Sequence, residues 1–403
     1  MTAPIPNFTI AWLAQGKIRI KKGDEATRTV DSAYGNAIRE KAVRAQQKHS
    51  WKSSGGDASP FSAMLWGKSG TTGDIPLGIT SICGGKEPGE LLYSIESGSL
   101  CALLQVAGLG AEERRLWNDN RTQIRHVSVS RDTGDMVFSI LHENGTANIG
   151  VKMASGAGVQ ELTEGDSFDT APRWCPGDEK KIVYQSAGIG RNREGHFLAL
   201  GPFSIQQLDP TAGELTTLLE DKHFDYLAPQ FLKDGSLLYI RRPHEQHARL
   251  NAFRVLKDIV LFPFRLIYAI LQFLNFFSAA YTGKKLTGGG NAREMDMKQM
   301  MVWGNLVQAQ RHARVEDESS DLVPKSWQLC CRKPFGETRT LASGVLAYDV
   351  NEDGHIIFTN GNAIFVLRPD GRKEHVLNEA MIEQVFFIPA ESWEMTGGDL
   401  KDR

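Results

Sequence analysis

The sequence predicts an all-β protein, a six-bladed β-propeller carrying helical insertions. Three observations point there. A unit of short strand, Asp/Gly turn and apolar strand recurs along the chain. Two further short strands follow each copy, so each unit supplies a four-stranded sheet. The two chain ends read as complementary parts of one more unit.

In chain order, Phe8–Leu13, Lys17–Ile20 and Arg28–Val30 read as the second, third and fourth strands of a unit that lacks a first. A helical insertion is expected over 34–52, where Ala, Arg, Lys, Glu and Gln dominate. Ala37, Lys41, Arg44 and Lys48 fall three or four apart there, which gives one basic face, either solvated or a docking surface for an acidic partner. The next unit spans 61–117, through Leu91–Tyr93 and Ala102–Val106.

The repeat is clearest at Asp169-Thr-Ala-Pro172-Arg-Trp174, followed by Ile182–Tyr184, and at Asp225-Tyr-Leu-Ala-Pro229-Gln-Phe231, followed by Asp234-Gly235 and Leu237–Tyr239. Fainter copies are Ile124–Phe138 and Leu346–Phe358. The Asp-Gly steps suit hairpins because Gly takes positive φ without a steric penalty. Units are therefore expected over 123–163, 168–219, 225–343 and 345–378. Finally, Gln384–Ile388 reads as a first strand without successors, the complement of the N-terminal three. Such sheets cannot bury both faces alone and stack on their neighbours. Sharing one sheet between the two ends then closes the ring.

The Asp-x-x-Pro-x-aromatic unit, with its turn and apolar strand, resembles the TolB-like six-bladed propeller repeat. Residues 123–239 carry most of the likeness and 345–388 a fainter version, with Cys175 where the repeat has Ser and Gly177-Asp178 in reversed order. The resemblance implies this fold. Periplasmic TolB and the propeller domains of prolyl oligopeptidase-type enzymes share the repeat, so it implies no single activity. Trp174, Phe231 and Tyr348, at repeat positions, are expected in the core, and Asp169 and Asp225 are expected to be structural turn residues.

The spacing of units leaves room for an insertion over 243–324, between the second and third strands of the fifth unit. Its hydrophobic segment, 259–281, is long enough to span a bilayer. Yet neighbouring strands of one sheet flank it, so both its ends must lie on one side of any membrane. The only return path, about 295–314, contains Lys298, Gln299, Asn305, Gln308, Gln310 and Arg311 and reads as an amphipathic helix. A helical hairpin is therefore expected. Phe262, Phe264, Leu271, Phe273, Phe276 and Phe277 would touch the propeller, a partner or a membrane surface, with basic flanks making 255–285 suited to an interface.

With 46 Lys+Arg against 48 Asp+Glu and a net charge of −2, the chain lacks the basic excess of a dedicated nucleic-acid binder. Five cysteines, Cys83, Cys101, Cys175, Cys330 and Cys331, match no zinc or redox spacing. Together with an N-terminus that lacks a secretion-type apolar core, they suggest the cytoplasm, or a peripheral position at an inner membrane face. No nucleophile elbow and no H-E-x-x-H occurs, and Gly67-Lys68-Ser69 lacks the earlier glycine of a phosphate loop, Ser62 standing there. No cofactor or metal is expected.

The loops between second and third strands are polar. Arg191, Arg193, Arg241 and Arg242 are candidates to face a carboxylate or phosphate, alongside His244, and His142 with Glu143 is a candidate acid/base or metal pair. Two functions follow: a non-enzymatic protein-interaction scaffold binding an unidentified protein through the insert-bearing face, or a propeller-based hydrolase or lyase with 243–324 as an active-site lid.

Overall fold

The computed structural model describes residues 8–30, 32–41, 44, 77–97, 100–108, 112–120, 122–156, 158–177, 181–244, 300–302, 305–307 and 322–388. They fall in two units, and the larger one (1–243, 302–305 and 312–403) holds the four-stranded sheets discussed below.

Four-stranded antiparallel sheets dominate it. The first joins β1 (Thr9–Ala14), β2 (Lys17–Lys22) and β3 (Arg28–Val30) to β27 (Ile382–Ile388). Ile10 sits opposite Phe387 and Trp12 opposite Val385, so the chain's two ends form one sheet. Trp12 Nε1 donates to Glu379 Oε2 (2.8 Å), and Glu379 Oε1 pairs with Arg19 Nε (2.9 Å), which ties the turn before β27 to β1 and β2.

The second sheet holds β4 (Leu77–Gly84), β5 (Leu91–Ser97), β6 (Leu100–Val106) and β7 (Glu113–Asp119). The third comprises β8 (Gln123–Val129), β9 (Met136–Leu141), β10 (Ala147–Lys152) and β11 (Gln160–Glu161). The fourth comprises β12 (Ser167–Trp174), β13 (Ile182–Arg191), β15 (Ser204–Asp209) and β16 (Glu214–Leu219), with the short β14 (Phe197–Leu200) hooked on the far half of β13. β17 (Phe224–Phe231), β18 (Leu237–Pro243), β21 (Gln328–Arg332) and β22 (Thr338–Ser343) make the fifth. The last is β23 (Ala347–Val350), β24 (Ile356–Thr359), β25 (Ala363–Leu367) and β26 (Lys373–Asn378). Ile240 pairs with Leu329, so strands on either side of the insertion are sheet neighbours.

One expectation is corrected below. In the fourth unit β14 and β15 are separate strands, because Gly201 and Pro202 interrupt the run. Gly201 N turns back to Gly188 O (2.9 Å), and Pro202 has no N–H for a ladder. Within the insertion, where 295–314 was expected to be helical, the described residues form a two-stranded ribbon, β19 (Met300–Val302) with β20 (Asn305–Val307). Their Met, Val and Leu content suits an extended strand as well as one face of a helix, and the apolar spacing alone did not discriminate. Segment 259–281 and its six aromatic and leucine candidates lie outside the described residues. Among the described residues, no helix is long and apolar enough to cross a membrane.

The first helix is present over 33–41 and at 44. Ser32 caps it, its Oγ accepting from Gly35 N (2.9 Å). Glu113 of β7 accepts from Tyr34 N (2.6 Å) and from the Tyr93 hydroxyl, so the helix start is pinned to the second sheet. Ala37, Lys41 and Arg44 are exposed, and Lys48 lies outside the described residues.

The hairpin turns show why Asp-Gly recurs. Gly235 N bonds Leu232 O (3.0 Å) and Leu232 N bonds Ser236 O (2.8 Å), with Gly235 at φ +78. This is a type I turn followed by a left-handed residue, and only glycine takes that last position freely. Gly354 does the same at φ +79 between Asn351 and His355.

The opening strands β8, β12 and β17 are bulged. Thr170 pairs with Gln185 and Arg173 with Val183, so Ala171 and Pro172 together oppose Tyr184. β17 repeats this at Ala228-Pro229 and β8 at His126-Val127. His126, Ala171 and Ala228 all carry positive φ, at 54, 53 and 49. Proline is tolerated at the second bulge position because no ladder bond is made there. Val127 does have an N–H, and Ser81 of the preceding sheet supplies Oγ for it at 2.9 Å.

Such side-chain bonds link sheet to sheet. Gln384 Oε1 accepts from Ile82 N (3.0 Å), joining the first sheet to the second, and the Ser81 bond joins the second to the third. Ala147 bridges to Phe168 between the third and fourth. Gln185 Oε1 accepts from Ala228 N (2.7 Å) between the fourth and fifth. Tyr348 Oη donates to Ala228 O (2.6 Å) between the fifth and last, and Asp349 Oδ2 accepts from Phe387 N (3.0 Å) between the last and first. Apolar clusters fill the same interfaces: Leu238, Ile240 and Leu329 pack with Val345, Tyr348 and Phe358. Tyr348 is buried as expected; Trp174 and Phe231 are half-buried and pack against core clusters.

Candidate functional site

The predicted loop residues divide sharply. Arg191 and the His142 turn do come together: Arg191 Nη2 donates to Asn144 O (3.1 Å), Nη1 to Gly195 O (3.1 Å), and Nε pairs with Asp166 Oδ1 (2.6 Å). Arg191 thus clamps the β9–β10 turn to the next sheet instead of presenting its fork to a ligand. His142 does not pair with Glu143, which is exposed. Its Nε2 lies 3.1 Å from Glu161 Oε2, and Asn148 Nδ2 reaches both that oxygen (2.7 Å) and His142 Nε2 (3.2 Å). Neighbours in a turn point apart, whereas β9 and β11 flank β10 and bring His142 and Glu161 over Asn148.

Arg242 corrects the expectation of a ligand-facing pair at 241–242. Its guanidinium is buried, with Nε 2.8 Å from Asp225 Oδ2 and its charge over the Trp327 ring at 4.6 Å. Asp225 Oδ1 also accepts from Phe203 N (3.0 Å), so this pair is an internal joint, in keeping with a structural Asp225. Asp169 likewise accepts from Ser186 Oγ (2.6 Å). Alternation along β18 sends Arg241 to the other face, where Nη2 donates to Gln328 Oε1 (2.6 Å) and the charge sits over Phe224 at 5.2 Å. His244 directly follows β18.

What remains outward at this end is the β13–β14 ribbon. Ile189 pairs with Leu200 and Gly190 with Ala199, and the tip carries exposed Arg193, Glu194 and His196. Beside them Phe197 and Leu198 are 51% and 58% exposed. The chain returning from the insertion reaches the same class of loop: Leu322 N donates to Asn360 O (3.0 Å), and a Cβ on Gly361 would strike Leu322.

A second cluster escaped the sequence reading. Arg173 of β12 acts electrostatically on Cys83 of β4, His126 of β8, and Tyr348 and Asp349 of β23. Arg125 of β8 acts on His126 and on Glu383 of β27. Opening strands of different sheets therefore converge on one region. Burial, then the two arginines, lower His126 to about 3, which keeps it neutral. Burial raises Glu383 from 4.5 to about 7 against the pull of Arg125, so its carboxyl can take or release a proton near neutrality. Glu383 is the extra residue of a bulge, since Leu13 pairs with Gln384 and Ala14 with Ile382. Burial also raises Asp349, and pushes the Cys83 and Cys101 thiols up to about 12, which leaves them unreactive. Among the described residues no His/Cys/Asp/Glu group could hold a metal. The one sequence signal for this cluster was Arg173 itself, between a bulge proline and a core aromatic.

These four-stranded sheets give the chain the fold of a β-propeller, similar to that of TolB. Comparisons with protein-family models and with curated protein sequences find no match. Among solved structures, TolB from Acinetobacter baumannii matches over 95% of this chain and 67% of its own, with a TM-score of 0.52 and 12% identity. A chain of the nidogen/laminin complex matches over 94% of this chain and 98% of its own, with a TM-score of 0.50 and 7% identity. At such identities the likeness shows the fold.

Proposed function

We propose that the chain is a six-bladed propeller, closed by the sheet its two ends share, and that it serves as a non-enzymatic protein-interaction scaffold. The run of sheet-to-sheet bonds from Gln384–Ile82 round to Asp349–Phe387 supports the closed ring. The observation that carries the binding role is the β13–β14 ribbon, with Phe197 and Leu198 in water beside Arg193. Large apolar side chains grouped on a projecting strand cost solvation unless a partner covers them. A chain of the nidogen/laminin complex, similar in fold, was solved together with a protein partner. Five cysteines without a disulfide suit a reducing compartment such as the cytoplasm.

The test replaces Phe197 and Leu198 by Ser and compares, by quantitative mass spectrometry, the proteins retained on the two immobilised full-length chains. Loss of a specific set, at unchanged melting temperature, is the expected result. Retention of the same set by both chains would refute this surface.

A further inference from the structure

β14 has one satisfied edge and one open edge. On the satisfied side Gly190 lies opposite Ala199 and Ile189 opposite Leu200, and Phe197 lies opposite Arg191, with Leu198 the extra residue of a bulge between them. Asn192 N donates to His196 O (3.0 Å) and Gly201 N to Gly188 O (2.9 Å), which fixes the phase of the ladder at both ends. Alternation then aims the main-chain N–H and C=O of Phe197 and Leu200 away from β13. Among the described residues no strand pairs with that outer edge. Open edges are ordinarily guarded by charge. The outermost strands follow that rule: β3 carries Arg28, β7 Arg114, β11 Glu161, β16 Glu214, β22 Arg339 and β26 Lys373. β14, Phe-Leu-Ala-Leu, carries no charge, and Phe197 and Leu198 stand exposed along it.

The edge itself selects its occupant. A row of outward donors and acceptors is answered by extended backbone, which offers the same groups at the same spacing. The pairable length is short. At the tip Asn192 Oδ1 already accepts from Glu194 N (3.0 Å) and His196 N (2.8 Å), and at the other end Pro202 has no N–H. No charged residue lies between 197 and 203, so the matching side chains are uncharged. A second copy of this chain offers only the same four residues, far below the roughly 1,200 Å² that a stable interface buries. A segment that binds weakly and reversibly has no such requirement. We propose that the outer edge of β14 takes up an extended, uncharged segment of a partner protein as an added strand, paired main chain to main chain at Phe197 and Leu200. This rests on the scaffold reading above and gives the partner its form.

The experiment is amide hydrogen exchange on the full-length chain, read at Phe197, Ala199 and Leu200 by mass spectrometry with electron-transfer fragmentation. The probes are a blocked five-residue peptide of alternating Val and Thr, and the same peptide N-methylated throughout. In the free chain Ala199, bonded to Gly190, should exchange slowly, and Phe197 and Leu200 quickly at every protein concentration. The first peptide, at about ten times its Kd, should slow both by about tenfold, and the methylated one should leave them unchanged. Slow exchange at Phe197 and Leu200 in the free chain overturns the proposal: a rate that falls with protein concentration identifies a second copy as the occupant, and a constant one identifies another part of the same chain. No slowing by the first peptide, or equal slowing by the methylated one, overturns it too, while the capture experiment on the Phe197 and Leu198 variant still decides the scaffold reading. Leu200→Pro, which deletes the outward N–H, should weaken peptide binding about fivefold relative to Leu200→Ala, which keeps it. Equal binding by the two variants also refutes the added strand, and the wild-type exchange result stands if the proline variant does not fold.

Discussion

Glu383→Gln replaces a half-buried carboxylate by a neutral group of the same shape. The folded chain holds the Glu383 proton up to about pH 7, whereas the unfolded chain releases it near 4.5. Between those values the native state binds more protons, so this group's contribution falls as pH rises. It is fully favourable below the unfolded value and lost once pH passes the folded one. The window corresponds to about 3 kcal/mol from this side chain. Glutamine has no such dependence. Urea denaturation of both proteins at pH 4.5 and pH 8 should therefore show near-equal stability at the lower pH, with the variant up to about 3 kcal/mol more stable at the higher. Asp349, raised in the same direction, is common to both proteins and cancels in the difference. A gap that does not change with pH, or a variant less stable at pH 8, would show that the bulge on β27 does not hold Glu383 away from water.

Ser81→Ala removes the acceptor for Val127 N in a site where both residues are buried, and should cost about 1–3 kcal/mol in denaturant unfolding. A change below a few tenths would mean that the bulged N–H finds another partner. Arg242→Ala leaves Asp225 buried without its cation and should cost about 3–5 kcal/mol, while Arg193→Ala at the exposed ribbon tip should leave the melting temperature unchanged.

The strands were legible because their signals are local. A hydrophobic run bounded by Asp-Gly, as at Lys233–Tyr239, specifies a hairpin whatever surrounds it, and the recurrence of Asp-x-x-Pro-x-aromatic located its partners. The pairing of Ile10 with Phe387 was readable for a different reason: an N-terminal unit lacking one strand and a C-terminal strand lacking its unit complete each other. The candidate site was less legible. Arg241 and Arg242 are adjacent polar residues with opposite fates, one half-buried on Gln328, the other buried on Asp225, and only the register of β18 against β17 tells them apart. His142 needed Glu161, nineteen residues on, because two strand pairings must form before they meet. Arg173, His126 and Glu383 stand in or beside bulges of β12, β8 and β27, and a two-residue period has no term for a bulge.

The joining of β1 to β27 also has a consequence for synthesis. Thr9–Ala14 leave the ribosome more than 360 residues before Ile382–Ile388. Throughout that interval β1 keeps an unsatisfied hydrogen-bonding edge, flanked by Trp12 and Leu13 that end up fully buried. The nascent chain is thus open to capture by chaperones, or by another copy's late strand, until Ile382–Ile388 emerge. A two-chain exchange product at high expression is the natural by-product of such an arrangement.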